Sequence, residues 1–458
     1  SGGVGDLAQG GYNAYLSGFY YKQNKLMNRD RGYPYNTDDA RNICSADGHC
    51  GPNGIVGGEN ADGSYTAGTP TGSAFTVRPY DPTNTTAAAG SRYSLLNPES
   101  CNGNLITLSA ADLVKNPTAP TSVCQVDYAN NYYTITPQIE RYGLSGRFTG
   151  RVSDTIEAYA EFNFQQSTSS YTGSPSTIYG AAPTGIYYPQ FRTSGAGGTG
   201  TVYAAGSGIL ALPVYVCDLN GRDATLVNGV ATAPGCSASN GTLNPNNPYA
   251  ANGQVARIFG RDLNHVTYNE TRSRVYRAAF GVKGDINDSL SFDVSGTAMH
   301  TDLRRTQDGY VYIQHLLNVI ADGSYNFVDP SANSKEVNDY LYPTNISTAT
   351  SDQDQIQATL NYTAADLPGG PLVIGVGASA RYEAVNAPSA NSDINGPTER
   401  YFTLNAFGTK GSREVYSAYG EINAPVLDFV TVNASGRYDK YSSGQDAFSP
   451  KVLSLIHI

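Results

Sequence analysis

Three kinds of residue set in this 458-residue chain have types and spacings that could do chemistry: glycine-rich runs, carboxylate and histidine sets, and aromatic clusters beside arginine. Gly195, Gly197 and Gly200 spell GxGxxG within SGAGGTGTVY, the spacing with which a backbone loop cradles a pyrophosphate. That use needs a buried strand before the loop and a helix N-terminus after it, and VYAAGSG offers no helix. The run reads as a surface loop. Gly375, Gly377 and Ala380 make a second near match inside an alternating segment, where glycine admits close packing or curvature. The histidines, His49, His265, His300, His315 and His457, form no HExxH or other ligand-spaced pair. Asp352 with Asp354, and Asp218 with Asn220 and Asp223, carry oxygen donors of the kind calcium takes, without the rest of an EF-hand loop. Solvated carboxylates are the simpler reading. No GxSxG elbow occurs, so no catalytic residue, cofactor-binding residue or metal ligand is assigned, and the chain does not read as an enzyme.

Aromatic residues carry the stronger signal. Tyr33 with Tyr35, Tyr187 with Tyr188 and Phe191, and Tyr310 with Tyr312 gather rings in irregular stretches. Rings on outer loops can stack on a sugar or another planar ligand, and Arg31, Arg192 or Arg305 nearby could hold a carboxylate. The competing role is packing of the loops on themselves.

The elements that must position these residues are strands. In REVYSAYGEINAPVLDFVTVNASGRYDKY, Arg413 to Tyr441, the residues Tyr416, Ala418, Gly420, Ile422 and Ala424 alternate with Ser417, Tyr419, Glu421 and Asn423. Val430, Val432, Ala434, Gly436 and Tyr438 continue the small or apolar face after a turn placed at Pro425, which cannot continue an inner ladder. Tyr416 and Tyr438 lie about eleven residues from the turn, which at ~3.3 Å per residue and ~40–45° tilt spans roughly 25 Å of membrane normal. Further strands are predicted at 10–22, 139–152, 155–168, 271–284, 289–302, 353–365 and 371–386, with the hairpin arms at 412–425 and 427–441. Short joins alternate with long ones, at about 23–138, 169–270, 303–352 and 387–411. Such alternation is the habit of outer-membrane barrels. Ionic residues such as Glu157, Glu161, Asp293 and Arg437 share the polar face, suiting a hydrated lumen. Two short helices are conceivable, Gln314 to Ile320 and Lys335 to Leu341.

Composition agrees with a large β protein: charged residues are 15%, with 50 Gly, 24 Pro and 35 Tyr against 14 Phe and no Trp. A net charge of −10 without a basic stripe argues against nucleic acid as a partner. No stretch approaches the ~18 apolar residues of a helical membrane span. The start SGGVGDLAQ has neither an initiator Met nor a signal-peptide pattern, and the chain reads as a fragment.

EVYSAYGEINAPVL and VNASGRYDKYSSGQDAFSPKV resemble the mid-barrel region of TonB-dependent outer-membrane receptors, in particular the large-looped sphingomonad and caulobacter type. Similar wording covers IERYGLSGRFTGRVSDTIEAYAEFNF at 139–164, the segment 11–37 and NPNNPYA at 244–250. The resemblance implies an all-β fold, a transmembrane antiparallel β-barrel of which residues 1–452 form part, within a family total of 22 strands. It implies a receptor of the Gram-negative outer membrane that captures a scarce solute at extracellular loops and imports it with TonB-derived energy. Partners would be outer-membrane lipid, the TonB complex through a plug and TonB box missing here, and a small solute such as an oligosaccharide or siderophore. No cofactor is expected. Residues 453–458, LSLIHI, are apolar on both faces and read as a non-native tail. The alternatives are a passive porin, an exported β-helix adhesin and a secreted carbohydrate-active protein.

Six cysteines, Cys44, Cys50, Cys101, Cys124, Cys217 and Cys236, fall in three neighbouring pairs outside the strands, and export would oxidise them. Local pairing of 44 with 50, 101 with 124 and 217 with 236 is the expectation, one connectivity of about 15 possible. A metal site is the rival.

Overall fold

Period-two alternation becomes strand because one face can stay apolar while the other stays polar, and in the computed structural model it does so eleven times. The structure describes residues 1–60, 62–65, 72–83, 91–115, 119–180, 208–391, 398–404 and 408–456. Its strands are β1 (Gly2–Val4), β2 (Tyr12–Gln23), β3 (Gln138–Arg151), β4 (Ile156–Gly173), β5 (Thr267–Asn287) and β6 (Leu290–Asp308). They continue with β7 (Asn345–Leu367), β8 (Gly370–Ala387), β9 (Thr409–Leu427), β10 (Val430–Tyr441) and β11 (Asp446–Ile456). Each pairs antiparallel with its chain neighbour in one eleven-stranded sheet. Antiparallel neighbours along the chain are not the coils of a β-helix, which removes that alternative.

Register keeps the faces apart. Ala160, Phe280, Gly296, Ile356, Ala380 and Tyr416 stand opposite one another across six strands on the outward face. Phe280, Ile356 and Tyr416 are each more than half exposed, which suits lipid and not water. Bulges at Asp285/Asn287, Thr363/Ala365 and Pro425/Leu427 sit beside the short turns, where an extra residue ends pairing and increases twist.

Two features depart from expectation. Pro425 lies inside β9 at a bulge, and the turn falls at Asp428–Phe429. The bulge accommodates the missing N–H, while the Pro425 carbonyl accepts from the Gly369 amide at 3.2 Å. The strands also run further toward the long connections than apolar alternation suggests. β7 has 23 residues because Asn345 to Asp352, rich in Ser and Thr, keep the ladder although neither face is apolar.

The buried core sits in the long connections, residues 24–137, 174–266, 309–344 and 388–408, rather than in the sheet. They are not structureless. Thr76–Tyr80 and Ser94–Leu95 from the first join Ala211–Leu212, Thr225–Val227, Val230–Thr232 and Val255–Phe259 from the second in a six-stranded sheet. The third supplies α1 (Ile313–Asp322) and α2 (Lys335–Leu341). Gly323 at φ 75° ends α1 in the left-handed conformation, and the Val337 amide donates to Ser334 Oγ to cap α2. Phe75, Val77, Ile178, Leu212, Ile258, Leu316, Leu317, Ile320, Phe327 and Phe402 pack into one core drawn from all four connections. We call this body the cap. Disulfides Cys44–Cys50, Cys101–Cys124 and Cys217–Cys236 staple its segments. Among the described residues no helix is long and apolar enough to cross a membrane, which says nothing of strands.

Candidate ligand-capture surface and inner wall

An aromatic cluster forms where two connections meet. Tyr312 stands at the start of α1, and His315, one turn on, shares its face; the ring centroids are 4.6 Å apart. The His315 imidazole stacks on Tyr340 of α2 at 4.0 Å and 15°. Tyr401, from the fourth connection, meets Tyr312 edge-on at 5.2 Å and 87°. Polar tips are satisfied from behind: Asn318 donates to the Tyr340 hydroxyl at 2.8 Å and to Asp223 at 3.0 Å, and the Tyr401 hydroxyl donates to the Pro343 carbonyl at 3.1 Å. His315 Nδ1 donates to the Tyr340 carbonyl. Burial pulls the His315 pKa below its usual value and pushes the Tyr401 phenol up to about 12, so both side chains are neutral at neutral pH. Tyr340 is 40% exposed while Tyr401 is 8% exposed, so the cluster offers chiefly the open part of the Tyr340 ring, backed by His315, which can stack on a planar or sugar-like group.

The predicted aromatic sets fare differently. Tyr33 and Tyr35 are 50% and 60% exposed, and the Arg31 guanidinium lies over the Tyr35 ring at 4.4 Å. Tyr310 and Tyr312 are not brought into one cluster. The Tyr310 hydroxyl exchanges hydrogen bonds with Asn269, which also receives Gln307, itself the acceptor for Asn345. These three amides are buried on the inner face at the cap end of β5, β6 and β7. Arg305 lies on the same face, opposite Thr271 and Ser347. Tyr187, Tyr188, Phe191, Arg192 and the run Gly195, Gly197 and Gly200 lie outside the described residues. Tyr340, Tyr401 and the stacking role of His315 were missed because Tyr340 lies 25 residues from His315 on another helix and Tyr401 comes from another connection, with no local spacing to unite them.

Other candidate donors do not converge. Asp352 and Asp354 lie on the outward face of β7 rather than in a loop, and Asp352 contacts His300 Nδ1 at 2.6 Å. Asp218 accepts from the Asn220 amide at 2.7 Å while Asp223 faces Asn318. Among the described residues no three His, Cys, Asp or Glu side chains gather as a metal would require.

The inner wall is charged and paired. Glu161 of β4 receives Arg147 of β3 at 3.2 Å and Arg277 of β5 at 2.7 Å. Glu383 of β8 receives Arg381 at 2.8 Å and Arg413 at 2.6 Å, and Asp439 receives Arg437 at 2.9 Å. Tyr419 lays its ring over Gly377, where a Cβ would collide with it, so that glycine serves close packing.

Long antiparallel strands with an apolar outward face, a charged inward face, short turns at one end and a folded cap at the other define the wall of a membrane-spanning β-barrel. The chain belongs to the TonB dependent receptor-like β-barrel family, whose pattern matches residues 224–455, just over half of its length. No curated protein matches it. Among solved structures it is similar to a mutant of the ferric enterobactin receptor PfeA from Pseudomonas aeruginosa, at 12% identity and TM-score 0.35, covering 71% of this chain and 32% of that one. The RagAB peptide transporter is similar at 10% identity and TM-score 0.35, covering 69% and 30%. The siderophore receptor PirA from Acinetobacter baumannii is similar at 13% and 0.33, covering 70% and 32%. The chain thus spans about a third of the length of these structures.

Proposed function

We propose that the chain is part of the barrel, with its cap, of a Gram-negative outer-membrane receptor that captures a scarce solute outside the cell and imports it with energy delivered by TonB. Family membership supports the class. The observation that supports capture is the single cap: four connections share one core, and the third and fourth set the exposed Tyr340 ring beside Tyr312 and His315, with Tyr401 buried behind them. Tyr33, Tyr35, Tyr310, Tyr187, Tyr188 and Phe191 are proposed as further ligand contacts, with Tyr310 acting from the strand ends. The solute is a small molecule with planar or sugar-like faces, an oligosaccharide or siderophore. Residues 1–452 are proposed to form part of the barrel domain, and the parent receptor to be of the sphingomonad or caulobacter type.

The test is growth of cells that depend on the intact receptor for maltodextrin as carbon source or for a ferric catecholate as iron source, with and without TonB. Growth on one of them that requires both the receptor and TonB is the expected result. Receptor-dependent growth without TonB would move the reading to a passive porin.

A further inference from the structure

The core of the cap accounts for only one face of its six-stranded sheet. Val255–Phe259 runs antiparallel to Thr76–Tyr80, so that Ile258 stands opposite Val77 and Arg257 directly opposite Arg78. Val77, Ala256 and Ile258 point into the core that Leu316, Leu317 and Ile320 of α1 share, none of the three more than 1% exposed. Alternation therefore sends Arg78 and Arg257 to the other face, with the sheet between them and α1. Like charges directly opposite each other destabilise a sheet. On the inner wall of the barrel Arg147, Arg277 and Arg413 each meet a carboxylate within 3.2 Å. Arg78 and Arg257 make no ion pair with any described residue, and Arg257 Nε is shielded from water without a hydrogen-bond partner. Asp81, just past the strand's end, accepts from the Thr83 amide and hydroxyl at 2.9 and 2.7 Å.

Aromatic rings hold both guanidinium groups in place. Arg78 lies 4.5 Å from the Tyr93 ring centroid and Arg257 4.6 Å from that of Phe259, and the two rings meet edge-on at 5.1 Å. Stacking occupies the flat faces of the guanidinium groups and leaves their N–H edges to donate. Of these donors one Nη1 of Arg78 reaches the Ser91 carbonyl, at a long 3.5 Å. Burial, reinforced by Arg78, lowers the pKa of Arg257, so its charge is held at a cost that a counter-ion would remove. A carboxylate brings one charge and two oxygens, whereas phosphate or sulfate brings about two charges and four oxygens and can face both forks at once. We propose that Arg78 and Arg257 bind a free tetrahedral oxyanion of the phosphate or sulfate class, a structural ion that ties the first connection to the second. The same group on a phosphorylated sugar would make the site part of solute capture. Its place across the sheet from α1, which carries Tyr312 and His315 at its start, favours the free ion. The inference rests on the fold of the cap and not on the capture reading.

The experiment is equilibrium dialysis of the detergent-purified intact receptor with radiolabelled inorganic phosphate, at an ionic strength fixed with sodium chloride. Saturable binding that sulfate displaces is the expected result. At phosphate ten times its Kd, protease cleavage within 72–83 and 255–259 slows about tenfold. R78Q/R257Q weakens phosphate binding about thirtyfold and removes the protection, while R78K/R257K, which keeps the charge and loses the fork, restores part of both. Absence of saturable phosphate or sulfate binding to the unaltered receptor overturns the proposal, whether or not the variants fold. Unchanged affinity in a folded R78Q/R257Q receptor does the same. So does glucose 6-phosphate bound as tightly as inorganic phosphate, which would give the site to solute capture.

Discussion

His265 and His315 are two imidazoles of the cap whose charged form burial disfavours. The His265 ring stacks on Tyr342 at 4.1 Å, His315 stacks on Tyr340, and burial lowers both imidazole pKa values. The unfolded cap takes up protons below the ordinary imidazole value of about 6.5, whereas the folded cap resists them. Their contribution to stability is therefore complete above that pH and is lost as pH falls from it toward the lowered folded values. Hydrogen exchange within 309–344, corrected for intrinsic rates, should be faster at pH 5 than at pH 7.5, and H265Q/H315Q should flatten the difference. An unchanged profile in that variant would assign the dependence elsewhere.

Among the elements, β8 tests the faces and α1 tests the cap. Val376 is 49% exposed on the outward face, and Ser379 lies on the inner one. Val376→Arg should cost about 2–4 kcal/mol in folding titrations of the intact receptor, and Ser379→Arg much less. Equal costs would refute the face assignment. Leu317 is 1% exposed in the cap core, so Leu317→Ala should cost the cap about 2–5 kcal/mol. Its readout is faster proteolysis of 309–344 with the heat-modifiable mobility of the barrel retained; equal loss of both would mean that cap and barrel unfold together.

At the scale of the molecule, a folded cap over a barrel end predicts where proteases reach. Whole cells treated with protease should be cut only within 24–137, 174–266, 309–344 or 388–408. The turns at Ser153–Asp154 and Asp428–Phe429 should stay intact until the membrane is opened. Cleavage at those turns in whole cells would reverse the orientation.

The long strands and their two faces were legible in the sequence, because a strand facing lipid on one side and water on the other writes that asymmetry into every second residue, as in Tyr416 to Ala424. The short helix expected at Gln314 to Ile320 was likewise legible and corresponds to α1. The cap was not legible. Its sheet pairs Arg78 with Arg257, and its aromatic cluster joins Tyr312 to Tyr401, across separations that leave no period to read. Tyr310 and Tyr312 are two residues apart in sequence yet part ways because one hydroxyl is claimed by Asn269 and the other ring by the cap. Local alternation decided which residues meet lipid. Only tertiary packing decided that four connections share one core, because burying Phe75, Ile258, Leu317 and Phe402 requires a partner from another connection.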